Sequence, residues 1–104
     1  MTGKRVHERY PINLGVTVSY GGQTYETQTS NVSIGGFFVP LVAPIPFGAT
    51  VRVRFRIATL TEDTEVDATV RWKTAEGLGL QFGSLRALEV WGLNQLFKSH
   101  TAVG

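Results

Sequence analysis

Between Ile12 and Tyr20 apolar residues occupy every second position, Ile12, Leu14, Val16, Val18 and Tyr20, with Asn13, Gly15, Thr17 and Ser19 between them. That period of two belongs to a β-strand with one buried face. Gly21-Gly22 then supplies a two-residue hairpin turn, because glycine reaches positive φ without steric cost, and "QTYETQTS" returns as a polar second strand. After Gly35-Gly36 the run "FFVPLV" predicts a short third strand that Pro40 ends or confines to an edge, since proline cannot donate to a ladder. Further on, Val51, Val53, Phe55 and Ile57 alternate with Arg52, Arg54 and Arg56, and Val66, Ala68, Val70 and Trp72 alternate with Asp67, Thr69, Arg71 and Lys73. The polar "TLTED" between these runs makes them a hairpin, in which Arg54 is expected opposite Asp67 and Arg56 opposite Glu65. "GLGLQF" forms a sixth strand after the turn Ala75-Glu76-Gly77.

From Ser84 the period lengthens. Ser84 is a suitable N-cap, and Leu85, Leu88, Trp91, Leu93, Leu96 and Phe97 make an apolar stripe at helical spacing to about Lys98, with Gly92 pointing to close packing or a bend. Six short antiparallel strands and one C-terminal helix predict an all-β fold, a small six-stranded antiparallel β-barrel with the helix over an opening. Residues 1–11 form an N-terminal arm, 12–98 the barrel with its helix from about residue 84, and 99–104 a tail.

The chain has 104 residues, 42% of them apolar and 17% charged, which suits one folded domain. A net charge of +2 suits an anionic small ligand and falls short of the basic stripes of nucleic-acid binders. With no cysteine there is no disulfide, thiolate metal site or thiol nucleophile. "MTGKRVHERY" has no apolar stretch behind its charges, and the long apolar run "GGFFVPLVAPIPFG" is broken by prolines, so neither signal peptide nor membrane span is expected and the cytoplasm is the expected compartment.

Two segments carry recognition chemistry. Arg5 and Arg9, in "KRVHERYPI", are permanently charged forks that grip phosphate bidentately and read the O6 and N7 acceptors of guanine. An arginine pair at this spacing is equally at home in a solvated arm. In "NVSIGG", Asn31 and Ser33 project from one face of an extended segment, and Gly35 and Gly36 leave the backbone bare, so a ligand can approach closely and N–H groups can turn toward an anion. A polar turn ahead of a strand is the alternative there. Arg52, Arg54 and Arg56 share a face without aromatic residues and are answered by carboxylates, which disfavours a nucleic-acid surface. The acidic residues 62–67 lack the spacing of a calcium loop, and His7 and His100 have no nucleophile or carboxylate companion, so no catalytic constellation is found and an enzyme is not expected. Trp72 and Trp91 read as core.

In these residues the chain resembles the PilZ domain family, whose members typically bind the bacterial second messenger cyclic di-GMP. Its R-x-x-x-R motif is matched by Arg5 to Arg9 and its [D/N]-x-S-x-x-G motif by Asn31 to Gly36, with Asn at a position where Asp is often found. "PFGATVRVRF", "ATVRW" and "GLGLQF" look like the family's later strands. The resemblance implies that Arg5 and Arg9 wrap phosphates and guanine edges while Asn31, Ser33, Gly35 and Gly36 meet the ligand from the barrel. Lys4, before the first arginine, would influence whether one nucleotide or a stacked pair is held. The expected protein is a cyclic di-GMP receptor without a further cofactor, acting as monomer or homodimer on an effector protein. The alternatives are a PilZ-like interaction module that ignores the nucleotide and, less favoured, a nucleic-acid-binding barrel.

Overall fold

The computed structural model describes residues 8–98 and His100. The alternating segments become seven strands, β1 (Gly15–Tyr20), β2 (Gln23–Gln28), β3 (Asn31–Val32), β4 (Gly36–Val39), β5 (Thr50–Arg56), β6 (Asp63–Thr74) and β7 (Gly77–Phe82), followed by helix α1 (Ala87–Phe97). They form one antiparallel sheet in the order β2-β1-β5-β6-β7-β4-β3. Gly21 and Gly22 make the β1–β2 turn with φ of 59° and 81°, as expected for a two-residue hairpin.

The end strands of that order, β2 and β3, are consecutive in the chain with only Thr29 and Ser30 between them, so the sheet curls back on itself. The expected second strand is broken there by a corner, which is why seven strands are found and not six. Thr29 builds the corner and is buried. Its hydroxyl donates to the Ile12 carbonyl at 2.6 Å and accepts from the Leu14 N–H at 2.8 Å, while its own N–H donates to the Leu14 carbonyl at 2.9 Å. The segment leading into β1 is thus sewn to the corner, and Ile12 and Leu14 join the core.

Inside, Phe37, Phe55 and Phe82 meet edge-to-face or stacked at centroid distances of 5.2, 5.2 and 5.7 Å. Pro40 ends β4, and the proline-rich connection after it buries Ile45 and is fastened to β6, with Gly48 N–H on the Val70 carbonyl at 2.8 Å and Lys73 Nζ on the Ile45 carbonyl at 2.9 Å.

The expected β5–β6 register and the expected start and buried face of the helix are corrected. β5 and β6 pair Arg52 with Asp67, Arg54 with Glu65 and Arg56 with Asp63, two residues from the expected match. The reason is Thr64, which takes the inward position ahead of Val66 and draws Asp63 and Thr64 out of the turn into the strand. Arg52 bridges Asp67 at 3.0 Å and Glu65 at 3.4 Å, and Arg56 bridges Asp63 at 2.9 Å, so this face is largely self-neutralised. The helix also starts later, at Ala87 behind Arg86 and not behind Ser84, and its buried stripe is Glu89, Gly92, Leu93 and Phe97. Leu88 and Trp91, expected inside, are each more than half exposed. Gly92 sets this rotation, because a Cβ there would press on the Leu60 side chain.

Burial pushes the Glu89 carboxyl up, but Arg86 outweighs it, donating from its guanidinium at 2.8 Å and its backbone N–H at 2.9 Å, and the net result lies below the ordinary carboxylate value. A depressed carboxylate stabilises above its unfolded value and stops doing so as pH falls through the folded one. Glu89→Gln is therefore expected to lower unfolding free energy by about 2 kcal/mol at neutral pH, the scale of a charge-assisted bond plus a helix cap. The gap to the parent narrows as pH falls below the ordinary glutamate range, as read by denaturant melts across pH. Thr29→Val keeps the shape but strands the buried Leu14 N–H and Ile12 carbonyl, and is expected to cost about 2 kcal/mol in the same measurement.

Candidate functional site

On the outer face of the sheet a groove of about 790 Å³ collects Arg9, Asn31, Ser33, Gly35 and Gly36, residues the sequence places in two separate segments. Lys4 and Arg5 lie outside the described residues. Arg9 arrives because the chain is already fastened one residue later, where Tyr10 and Val32 exchange backbone hydrogen bonds at 2.8 and 2.9 Å. Tyr10 also stacks on Phe97 of α1 with centroids 4.2 Å apart. Adjacent residues of one extended strip thus serve the groove and the helix.

The floor follows from pairing across four strands. Asn31 opposes Phe38, Phe38 opposes Gly79 and Gly79 opposes Trp72, one outward row over β3, β4, β7 and β6. In the neighbouring row Gly36 opposes Gln81. Two missing side chains, at Gly36 and Gly79, leave a trough between Asn31 and Trp72. Gly36 is also required by the sheet itself, since a Cβ there would collide with the Leu80 carbonyl oxygen.

Trp72 reaches this face through a break in β6. Val70 pairs with Leu80 and Trp72 with Gly79, so Arg71 is an extra residue on one strand, a β-bulge that shifts the alternation by one. Val66, Ala68 and Val70 point inward, but Trp72 points out and is 54% exposed. This corrects its assignment to the core. Its indole lies on Gly79, and the guanidinium carbon of Arg9 stands 5.4 Å from the ring centroid, within cation–π range.

The chemistry of "NVSIGG" is partly used up locally. The Ser33 hydroxyl accepts from the N–H groups of Gly35 at 3.1 Å and Gly36 at 3.2 Å and donates to the Gly36 carbonyl at 3.2 Å, which exhausts its capacity. Those N–H groups, expected to face an anion, point at Ser33 because the turn would otherwise leave them unpaired. Asn31, half-buried on the groove wall, keeps its amide without a hydrogen bond among the described residues. Arg9 and Arg71 are cationic, and among the described residues no carboxylate lines the groove, so it favours an anion carrying a flat ring.

A family model for the PilZ domain matches residues 3–96. The chain belongs to the PilZ domain family. Among solved structures, the Bacillus subtilis inhibitor of motility MotI/DgrA matches with TM-score 0.71 and 19% identity over 92% of this chain and 53% of its own. The Borreliella burgdorferi PlzA protein, crystallised in complex with c-di-GMP, matches with TM-score 0.69 and 16% identity over 91% of this chain and 41% of its own. The PilZ domain of CeSA from a cellulose-synthesizing bacterium matches with TM-score 0.63 and 18% identity over 85% of this chain and 92% of its own. At these identities the likeness is one of fold, and the chain spans about half the length of the first two proteins. No curated protein matches the sequence.

Sequence reading of this PilZ domain missed Arg71, Trp72, Gly79 and Gln81 as groove residues. A strict period of two through Val66–Trp72 hides a one-residue bulge, and the one available signal was an indole at the end of a strand opposite glycine. Among the described residues no group of His, Cys, Asp or Glu can hold a metal ion, and no helix is long and apolar enough to cross a membrane. The two trough glycines are expected to behave differently. Gly36→Ala forces backbone apart and lowers unfolding free energy by at least about 2 kcal/mol. Gly79→Ala meets a movable ring, costs less, and shifts tryptophan emission as the indole lifts. Denaturant melts and fluorescence of the two variants check both outcomes.

Proposed function

We propose that this PilZ domain is a receptor for cyclic di-GMP that performs no chemistry and passes its ligand state to an effector protein. The observation that carries the reading is the meeting of Arg9 with Asn31, Ser33, Gly35 and Gly36 around one groove that no carboxylate lines among the described residues. Cyclic di-GMP offers two phosphates and two guanines. In this reading Arg5 and Arg9 supply guanidinium forks to the phosphates and to guanine O6 and N7, and Asn31 gives its unpaired amide to the ligand. Ser33 acts at one remove, holding Gly35 and Gly36 so that the trough keeps its shape. Lys4, which precedes Arg5 in the chain, influences whether one nucleotide or a stacked pair is held. Support for the ligand class also comes from the fold-level likeness to PlzA, a protein crystallised with c-di-GMP.

Signalling in this reading follows from the place of the arginines in the sequence. The residues ahead of the fastened strip Arg9–Tyr10 are polar and offer little apolar surface to bury, so in this reading the ligand orders them over the groove, and the face they create or hide is what the effector reads. Calorimetric titration of the intact protein with cyclic di-GMP is expected to give saturable heat. Arg5→Ala and Arg9→Ala each lose at least about 2 kcal/mol of binding, the scale of a charge-assisted contact. Amide exchange in residues 1–9 slows on binding. An intact protein that gives no heat overturns the reading and leaves the interaction module in its place.

A further inference from the structure

Helix α1 is apolar on two sides. Leu93 and Phe97 are buried with Gly92 against the barrel, whereas Leu88 and Trp91, one turn apart on the other side, are 56% and 53% exposed. We propose that this outer side is an interface with a second copy of the same chain, in which the two α1 helices lie antiparallel across a twofold axis and Leu88 of each copy meets Trp91 of the other. The inference concerns the face of the molecule made by α1 and does not depend on the cyclic di-GMP reading.

Three features support it. First, a helix on the surface of a lone domain keeps its outer side polar, and a leucine beside a tryptophan is the kind of apolar centre on which interfaces are built. The stripe around them suits a second helix: exposed Ala87 is small enough to let another backbone approach to about 8–10 Å, and exposed Asn94 begins a polar rim. Second, the rotation that exposes Leu88 and Trp91 is enforced. The Thr59 hydroxyl donates to the Gly92 carbonyl at 2.7 Å, Leu60 fills the space beside Gly92, and buried Glu89 is tied to Arg86, so the helix cannot roll its indole inward. Third, charge makes the face complementary to itself, which is what selects a second copy over another occupant. The segment from Thr59 runs beside α1 from Gly92 toward the helix start, where Glu62 is near enough to Arg86 to favour its charged form. Lys98 stands at the opposite end of the helix. Glu62 and Lys98 are exposed, and neither forms an ion pair among the described residues. An antiparallel pair sets the Lys98 end of each helix against the Glu62 end of the other, giving two opposite-charge encounters around one apolar centre, whereas a parallel pair sets like charge against like. Two large apolar residues fall well short of the roughly 800 Å² per partner of a standard interface, so the dimer is weak and depends on concentration.

Sedimentation equilibrium of the intact chain without nucleotide is expected to show its mass rising from one chain toward two between about 1 μM and about 1 mM. Leu88→Gln and Trp91→Gln, both at exposed positions, keep the parent's denaturant melt and each weaken association by at least about tenfold. Lys98→Glu and Glu62→Lys each weaken association less, and the two changes together in one chain restore it, because the swap leaves opposite charges facing across the axis. A foreign partner carries no swapped residue, so only pairing of two copies predicts that recovery. A chain that stays monomeric over the whole range, or a dimer that Leu88→Gln and Trp91→Gln leave unchanged, overturns the proposal. A double swap as weak as the single ones overturns the antiparallel arrangement. None of these outcomes bears on the receptor reading, which the calorimetric titration tests separately.

Discussion

The rings of Phe37 and Phe55 touch at a centroid distance of 5.2 Å, although their strands stand three places apart in the sheet order. In a flat sheet three strand spacings are about 14 Å. Only a sheet curled into a half-barrel brings these rings together, and Phe82 completes the cluster from β7. Once Phe37, Phe55 and Phe82 face inward, the parity of β4, β5 and β7 is fixed. Phe38, Gly79 and Gln81 then have nowhere to go but outward, and the groove is the outer consequence of an inner contact.

The groove departs from an ordinary sheet surface in only a few places. Gly36 and Gly79 remove side chains where the neighbouring row leaves them out as well, which converts a ridged surface into a trough. Ser33 ties a short turn so that Asn31 stays extended beside it. The strip Arg9–Tyr10 joins this surface to α1, one side chain over the indole of Trp72 and the next against Phe97. The helix is held at its other end by Arg86 and Glu89 and near its middle by Thr59, whose hydroxyl donates to the Gly92 carbonyl at 2.7 Å.

Most of the barrel was legible as alternation because burial on one face is what a strand must satisfy, and β1, β5 and β7 follow that rule without exception over their inward positions. The motif residues Arg9, Asn31, Ser33, Gly35 and Gly36 were legible for a different reason: their chemistry is unusual for a polar turn. What escaped detection were breaks of phase. The corner at Thr29 looks like continuous polar strand until its hydroxyl is seen bonded on both sides. The bulge at Arg71 leaves the letters of β6 in perfect alternation while reversing the direction of Trp72. On α1 the stripe was assigned by hydrophobicity, but Glu89 with its arginine partner and Gly92 with Leu60 displaced Leu88 and Trp91 from the interior. Polar groups that carry their own partners are invisible to a hydrophobic pattern.

The extra residue in β6 can be put in genetic terms. Thr64, Val66, Ala68 and Val70 are committed to the core, and everything after Arg71 runs one step out of phase with them. A single inserted or deleted codon at this point therefore decides whether the next aromatic residue belongs to the interior or to a binding surface, with no change to any core residue. A whole wall of the groove is separated from a plain sheet by one triplet.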